Sequence, residues 1–443
     1  MKRSRNLPVA RLVLAAILVP MLAVSCGKKD SKRLKGERIS VMAFDRALSV
    51  DPRLSDVQVR LPKPYANESW PQAGGFMSHA LHHLALGESL KRVWQASIGT
   101  GHKRNNPLVS MPVVADGRVF TIDPLATVTA IDATSGRQLW QVRLKSEKAR
   151  KALAFGGGVA YDDGKVYVTT GYGFAAALDA HSGVEIWRED VGTPLRGAPT
   201  VNAGRVFVPT YDSQLYALSA DDGKVLWYHV GTTEAAGIMG AASPAVVDDI
   251  VVVAYSSGEL AAIKVENGRA AWTDTLTRTG KLTPIASISD IDGLPVIDRG
   301  RVYAISHGGR MVAIDLRSGE RVWERNIGGV QTPWIAGDFI YLLTNENEVV
   351  CLSRRSGRVR WIRELQKFEK QEKRKKPISW SGPVLASDRL VLVSSHGFAV
   401  SISPYTGEIM GAEKVPDGSF LPPIVANETL YILTKAGRLV AMR

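Results

Sequence analysis

The chain has 443 residues, of which 45% are hydrophobic, and its 56 basic and 43 acidic residues give a formal charge of +13. This length suffices for two or three ordinary domains, or for one domain built from repeats. The apolar fraction is that of a globular protein. The basic balance gives little support to nucleic-acid binding, because no stripe of Arg and Lys is interleaved with aromatic residues.

Residues 1–25 have the layout of an export signal. A basic start precedes the apolar run Leu12–Val24, which is too short to span a bilayer comfortably, and small residues follow. The stretch A-V-S-C that ends at Cys26 resembles a bacterial lipoprotein cleavage box, although Ala23 stands where leucine is usual. This resemblance implies a lipid (palmitate included) on Cys26, and Gly27 in place of Asp implies the outer membrane. The alternative is ordinary cleavage that releases a soluble periplasmic protein.

Residues 26–64 are charged and irregular, and they predict a flexible tether between the lipid and the folded domain at residues 65–443. Tyr65–Gly75 predicts an ordered loop, and Met77–Leu86 predicts a short helix. Such a helix would place His79 and His83 on one face, with His82 beside them. A metal site would need a third ligand, so an ordinary partly buried helix is the preferred interpretation.

One pattern of about forty residues recurs from residue 90 to the C-terminus. Its clearest copy, Gly197–Trp227, contains short apolar runs separated by Gly, Asp and Asn turns, which is typical of an antiparallel meander without helices. Such a sheet buries both faces only by stacking on copies of itself. Six units end at a tryptophan, namely Trp140, Trp187, Trp227, Trp272, Trp323 and Trp361, and a seventh ends at Met410-Gly411.

The number of units predicts an all-β fold, an eight-bladed β-propeller of four-stranded antiparallel blades. The eighth unit, Leu421–Arg443, stops before its outer strand, and the lone strand Leu90–Gln95 (near 90–96) can supply it. Closure of the ring by this N-terminal strand would remove two exposed sheet edges. A seven-bladed propeller would have to discard the seventh unit, although its strands at Val391–Ser394 and Ala399–Ser403 look intact.

The turn before each final strand has the pattern of Asp132-Ala-Thr-Ser-Gly136. The aspartate can accept hydrogen bonds from turn amides, and the glycine can adopt positive φ. The tryptophan that follows offers a flat surface that could fill the gap between adjacent blades. Both features are structural, so we predict no substrate platform from these tryptophans.

Catalytic motifs are missing from the sequence. The stretch Gly171–Ala176 fits a loose dinucleotide fingerprint, but it joins two strands and no helix follows it. Cys351 lies in an apolar strand and predicts a small buried hydrophobe, not a nucleophile. We therefore expect no catalytic residue, no metal and no cofactor. The basic insertion at 367–376 predicts either a solvated loop or an electrostatic contact with an acidic partner or anionic lipid.

The repeat A-L-D-x-x-S-G-x-x-x-W resembles the propeller repeats of quinoprotein dehydrogenases, and the whole chain is more similar to the BamB family of outer-membrane assembly lipoproteins. Two stretches carry the closer resemblance: Leu195-Arg196-Gly197 before unit three, and Ser289-Asp290-Ile291-Asp292 before unit five. An exposed leucine beside an arginine suits an interface, and Asp290 and Asp292 would point the same way in an extended segment. Turn chemistry and a solvated arginine are the alternatives.

The resemblance implies a non-enzymatic scaffold of the β-barrel assembly machinery (the BAM complex), anchored by its lipid to the periplasmic face of the outer membrane. It further implies that Leu195, Arg196, Asp290 and Asp292 contact a POTRA domain of BamA, and unfolded outer-membrane proteins are possible clients. The rival interpretation is a periplasmic dehydrogenase that uses the quinone PQQ. Such an enzyme needs a calcium site, an arginine near the quinone and usually an adjacent cysteine pair.

Overall fold

The computed structural model describes residues 48–146, 156–233, 242–277 and 290–443. The signal peptide, Cys26, the first part of the tether and Ser289 lie outside these residues. Eight four-stranded antiparallel sheets form an eight-bladed β-propeller, which confirms the predicted fold. One short 3-10 helix, Pro52–Leu54, precedes them. Within the described ranges, no helix is both long and apolar enough to cross a membrane.

We number the blades in chain order. Blade 1 consists of Val113–Ala115, Arg118–Ile122, Thr127–Asp132 and Gln138–Arg143, and blade 2 of Gly157–Asp162, Lys165–Thr170, Phe174–Asp179 and Glu185–Asp190. Blade 3 consists of Thr200–Asn202, Arg205–Pro209, Gln214–Ser219 and Val225–Val230, and blade 4 of Ala245–Val247, Ile250–Ala254, Glu259–Lys264 and Ala270–Thr275. Blade 5 consists of Val296–Asp298, Arg301–Ser306, Arg310–Asp315 and Arg321–Arg325, and blade 6 of Trp334–Ala336, Phe339–Leu343, Glu348–Ser353 and Val359–Glu364. Blade 7 consists of Trp380–Ala386, Arg389–Ser394, Phe398–Ile402 and Ile409–Lys414, and blade 8 of Ile424–Ala426, Thr429–Leu433, Arg438–Met442 and Arg92–Ser97.

The first strand of each blade is its inner strand. The first strands of blades 1 to 5 contact one another in order, and so do those of blades 6 to 8. Together they surround a central channel. The second and third strands are buried on both faces by the adjacent blades. The fourth, outer strand is largely exposed except in blade 6, where Val359–Glu364 is mostly buried or half-buried. Inner strands begin at what we name the loop face, where the connections between blades lie. They end at the opposite turn face, which carries the Asp-to-Gly turns.

The N-terminal strand closes the ring as predicted, two residues later in the chain than expected. Arg92–Ser97 pairs antiparallel with Arg438–Met442, and Trp94 lies opposite Ala441. Blade 8 thereby combines three strands from the C-terminus with one from residues 92–97. The pairing covers an edge on each segment, which is the physical reason why closure stabilises a propeller.

Seven tryptophans join neighbouring blades in one repeated geometry, which confirms their predicted structural use. Each outer-strand indole packs on the turn glycine of the next blade and donates its Nε1 hydrogen bond to a carbonyl in that turn. For Trp140, a Cβ built on Gly183 would lie 2.8 Å from the ring, and the Nε1 donates to Ala180 O at 3.1 Å. The other six pairs are Trp94–Gly136, Trp187–Gly223, Trp227–Gly268, Trp272–Gly319, Trp323–Gly357 and Trp361–Gly407.

The eighth junction explains why the seventh unit has a glycine in place of tryptophan. Gly411 lies opposite Ser401 on the outer strand of blade 7, the position that Trp140 occupies opposite Ala130 in blade 1. In blade 8 no turn joins the third strand to the fourth, because the fourth comes from residues 92–97. An indole at residue 411 would therefore have no turn glycine to cover.

Residues 65–87 form a strap that makes one circuit of the channel. The strap closes on itself where Tyr65 N donates to His83 O and Ala85 N donates to Tyr65 O. Between these points it bonds to the inner strands of blades 8, 1, 2, 3, 4, 5, 6 and 7 in turn. The contacts are Asn67 to Val425, Trp70 to Val114, Pro71 to Tyr161, Gln72 to Val201, Met77 to Val246, Ser78 to Ile297, His82 to Trp334 and Leu84 to Leu385.

The helix predicted for Met77–Leu86 is wrong, because this stretch belongs to the strap and has no helical turn. His79 and His82 adopt positive φ, which a helix excludes. Backbone groups here bond to the inner strands of several blades, and those long-range partners replace the helical hydrogen bonds. The buried His79 donates from Nδ1 to Pro295 O at 2.7 Å, and burial lowers its pKa to about 4. His83 donates from Nδ1 to Pro62 O at 2.7 Å.

Residues 48–64, the last part of the predicted tether, lie against blade 6. Asp51 N donates to Val359 O at 2.9 Å, and Arg360 Nε donates to Val57 O at 3.0 Å. Val59 belongs to the hydrophobic core. The folded domain therefore begins before residue 65. Apolar residues scattered among the charged ones pack against the propeller, and their irregular spacing in the sequence does not predict this packing.

Two further features of the sequence are resolved by the structure. The basic insertion is a two-stranded hairpin, Phe368–Lys370 with Lys375–Pro377, and its tip is exposed. Lys376 Nζ lies 2.8 Å from Glu369 Oε2 within it. Cys351 is fully buried, as predicted, and burial raises the pKa of its thiol.

Candidate functional site

The channel opens at the loop face into a cavity of about 320 Å³. The cavity exists because the segments that lead into the inner strands converge there, while Ala73 of the strap forms part of its floor. Its polar or aromatic lining includes His102, Arg196, Asp292, Gln331 and Phe420. The lining thus combines apolar surface with one arginine and one carboxylate, a composition suited to recognition.

Arg196 reaches the cavity from the segment that enters blade 3. Leu195 N donates to Thr170 O at 3.1 Å, and Tyr211 N donates to Pro194 O at 2.9 Å, so the backbone on the N-terminal side of Arg196 is fixed. The Arg196 guanidinium lies 4.4 Å from the centre of the Tyr211 ring. Partial burial lowers the pKa of the guanidinium, which still stays protonated at neutral pH. Arg196 is therefore a fixed cation at the mouth of the channel.

Leu195 is fully buried, so the expectation of an exposed leucine beside the arginine is wrong. Its side chain lies in the core between blades 2 and 3, together with Tyr167, Val201 and Val208. An isolated antiparallel bridge to Thr210 holds the Leu195 backbone, with the side chain in this core. The sequence does not reveal whether the side chain of a loop leucine next to an arginine points into the core or into solvent, because this depends on long-range backbone pairing.

Asp290 and Asp292 lie in the segment that enters blade 5, two blades after blade 3 in the ring. Asp290 is 2% exposed, and its backbone carbonyl accepts a hydrogen bond from His307 N at 2.8 Å. Asp292 lines the cavity, and its Oδ1 accepts no hydrogen bond from the residues described. Burial, and secondly the negative charge of Asp290, raise the pKa of Asp292 from 3.8 to about 8. Both effects favour the protonated form of the Asp292 carboxyl.

The structure brings two of the four predicted surface residues to one cavity and places the other two beneath it. Arg196 and Asp292 line the cavity, whereas Leu195 and Asp290 are buried. Sequence reasoning missed Tyr211, which holds Arg196. Its signal was an aromatic residue in an otherwise polar turn, Tyr211-Asp212-Ser213. It also missed the pair His102 and Phe420, whose ring centres are 4.8 Å apart.

The residues at the channel do not fit a quinone site with calcium. Across the described ranges, no group of three His, Cys, Asp or Glu side chains could hold a metal ion. The two cysteines of the sequence, Cys26 and Cys351, are not adjacent. The strap also occupies the part of the channel next to the turn face, bonding to inner strands on all sides.

Comparisons with known proteins identify the family that the sequence matches. A family model described as "Outer membrane protein assembly factor BamB" matches residues 124–363. Outer membrane protein assembly factor BamB from Yersinia pestis is 28% identical over 362 residues, which cover 79% of this chain and 88% of that protein.

Two solved structures illustrate how widely the fold is shared. The crystal structure of BamB from Moraxella catarrhalis aligns with a TM-score of 0.68 and 17% identity, covering 80% of this chain and all of that one. Quinohemoprotein alcohol dehydrogenase from Comamonas testosteroni aligns with a TM-score of 0.66 and 14% identity, covering 85% of this chain and 80% of its own. At these identities the similarity concerns the fold alone, and the site residues must decide between the two activities.

Proposed function

The chain belongs to the family of outer membrane protein assembly factor BamB, and on this premise we propose that it is a non-enzymatic scaffold of the β-barrel assembly machinery. In this proposal it binds a POTRA domain of BamA through the loop face. Lipidated Cys26 holds it at the periplasmic face of the outer membrane. It assists the assembly and insertion of β-barrel proteins, and unfolded precursors are its clients.

The observation that carries the proposal is the convergence of Arg196 and Asp292 on one cavity. They come from separate units, and neither belongs to the repeat that builds the blades. Repeated residues are accounted for by the scaffold, whereas residues that depart from the repeat and meet at a surface need another explanation. A partner that docks over the channel mouth would contact both.

The geometry supports a defined role for each residue. The Tyr211 ring holds the Arg196 guanidinium in place, which reduces the entropy lost when an acidic partner group binds. Burial favours the protonated form of Asp292 when the mouth is empty, and a basic partner group would favour its ionised form. Leu195 and Asp290 are buried and support the two loops that carry Arg196 and Asp292.

The proposal is tested by measuring the affinity of purified BamA POTRA domains for the wild type and for the pair Arg196→Ala/Asp292→Ala. We expect the pair to weaken binding by at least about tenfold, as for truncation of interface hot spots. Arg317→Ala, which removes an exposed arginine from a turn on the turn face, is the matched control and should bind like the wild type. Thermal midpoints establish that the variants are folded.

The two halves of the proposal fail separately. If the wild type does not bind POTRA domains, the function is wrong. If it binds and the Arg196→Ala/Asp292→Ala pair binds equally well, the site is wrong while the function stands. The rival, a PQQ-dependent dehydrogenase, predicts reduction of a redox dye when the quinone, Ca²⁺ and an alcohol are added. Such turnover would overturn the non-enzymatic proposal.

A further inference from the structure

The outer strand of blade 3, Val225–Val230, is an exposed sheet edge of unusual composition. Among the described residues, no strand pairs with its far side. The strand V-L-W-Y-H-V contains no Lys, Arg, Asp or Glu. Natural proteins usually protect such edges with charged residues, because free backbone N–H and C=O groups can pair with another chain. This edge lacks that protection.

The other blades provide an internal comparison. In blade 3, the first and third residues after the outer-strand tryptophan are Tyr228 and Val230, which are 60% and 58% exposed. The corresponding pair is Gln141 and Arg143 in blade 1, and at least one of the two residues is polar or charged in each of the other seven blades. An apolar pair at both positions is therefore not a requirement of the fold.

The apolar side chains of this edge are held in place. The Tyr228 ring stacks on Tyr216 of the neighbouring strand, with centres 5.6 Å apart. The Tyr216 hydroxyl lies 3.2 Å from Gln214 Oε1, and Gln214 pairs with Val230. Leu226, which is 49% exposed, lies two residues before Tyr228, so Leu226, Tyr228 and Val230 form a row of alternate residues along the strand. Ordered aromatic side chains lose little entropy on binding, which suits them to recognition.

The edge ends next to the proposed BamA site. Gly231 N, directly after the strand, donates to Ser213 O. Ser213 lies in the same turn as Tyr211, which holds Arg196. The apolar edge and the channel mouth therefore meet on the loop face of one blade. A chain bound along the edge would be led to the mouth.

We infer that the outer strand of blade 3 binds an extended segment of an unfolded β-barrel precursor as a fifth strand. Backbone hydrogen bonds would provide affinity, and the row Leu226, Tyr228 and Val230 would select apolar residues at alternate positions. Strands of outer-membrane barrels have that alternation, with segments of about ten residues. The inference rests on the proposed function for the identity of the client, whereas the edge itself is a property of the fold.

The test uses a synthetic peptide of about ten residues with alternating apolar and polar side chains, and a control peptide of the same composition with its apolar residues consecutive. We expect the alternating peptide to bind the full chain at least tenfold more tightly, and Tyr228→Lys to weaken it at least tenfold. Thr273→Lys adds the same charge at the equivalent exposed position of blade 4 and should bind like the wild type. Amide hydrogen exchange across Val225–Val230 should slow on binding, which a contact through side chains alone would not produce.

Three results would overturn the inference: equal binding of the two peptides, equal loss of binding in Tyr228→Lys and Thr273→Lys, or binding without protection of the strand. A dimer that Tyr228→Lys dissociates, without peptide binding, would also overturn it and would identify a second copy as the occupant. The Arg196→Ala/Asp292→Ala pair should keep peptide binding while it loses POTRA binding. Failure of the client edge is thus distinguishable from failure of the BamA site.

Discussion

The indole of Trp94 lies against Gly136, and a Cβ built on that glycine would come within 2.7 Å of the ring. Trp94 belongs to the strand that completes blade 8, and Gly136 belongs to the turn of blade 1. The indole Nε1 also donates to Ala133 O at 3.1 Å in the same turn. This contact joins the last blade to the first, so the closure of the ring depends on it as well as on strand pairing.

Trp94→Ala should destabilise the protein by about 2–3 kcal/mol, somewhat less than the loss for a fully buried tryptophan. The substitution removes the apolar contact and the hydrogen bond to Ala133, while the strand pairing with Arg438–Met442 remains. The measurement is the urea midpoint. Val93→Ala, an exposed neighbour on the same strand, should change stability by less than about 0.5 kcal/mol. Equal effects of the two substitutions would contradict the role of the indole.

A matched pair of glycine substitutions tests the difference between the blade junctions. Gly411→Ala should stabilise the protein by about 0.5–1 kcal/mol, since a Cβ there meets nothing within 4 Å and φ is not positive. Gly136→Ala should destabilise it by more than about 1 kcal/mol, because φ is +74° and the Cβ would collide with Trp94. Thermal midpoints measure both. A loss in Gly411→Ala would contradict the open space on blade 7.

The raised pKa of Asp292 predicts a pH-dependent stability. The folded state binds the proton more tightly than the unfolded state, with pKa values of about 8 and 3.8. The stabilisation from protonation is complete below pH 3.8 and is lost as pH rises through 8. Asp292→Asn should therefore gain stability relative to the wild type between about pH 4 and pH 8, and the difference should level off above. Urea midpoints at four pH values measure the slope.

Asp132→Asn is the control with the opposite sign. Hydrogen bonds from Ser135 hold the pKa of Asp132 below its usual value. Its contribution is present above the ordinary pKa and is lost as pH falls through the lowered one. The variant should be less stable than the wild type at neutral pH and approach it in acid. Parallel slopes for the two variants would contradict the assignment for Asp292.

The strap should contribute to stability through its buried bonds to the inner strands. Gln72→Ala removes two of them, from Val201 N to Oε1 at 2.9 Å and from Nε2 to Val201 O at 2.8 Å. Leaving these buried backbone groups unsatisfied should cost about 1–3 kcal/mol in the free energy of unfolding. The measurement is again the urea midpoint. Glu68→Ala, an exposed strap residue, should stay within about 0.5 kcal/mol of the wild type.

The blades themselves could be predicted from the sequence because each is specified locally. The alternation of apolar residues, the turn glycine and the tryptophan all lie within one unit, and counting the units leads to eight. The missing fourth strand of the last unit pointed to residues near 90–96, and the structure confirms that closure. Gly411 looked like a degenerate tryptophan position, and only the junction showed that its partner turn does not exist.

What lies in the channel could not be predicted in this way. The strap bonds to inner strands far apart in the sequence, so its backbone has no local periodicity, and the stretch around His79 was wrongly predicted to be helical. The burial of Leu195 accompanies its backbone bridge to Thr210, directly after the second strand of blade 3. The raised pKa of Asp292 depends on burial and on Asp290 together.

The sequence alone thus determined the repeating unit, the number of blades and the closing strand, because their physical causes are local turn chemistry and residue periodicity. Only the tertiary structure decided which side chains meet at the channel mouth and which edge stays apolar and open. Arg196 and Asp292 are far apart in the sequence but line one cavity, because the closed ring brings the segments that enter the inner strands together around one channel. The exposure of Tyr228 is likewise decided by the tertiary structure, because no described strand pairs with the far side of its outer strand.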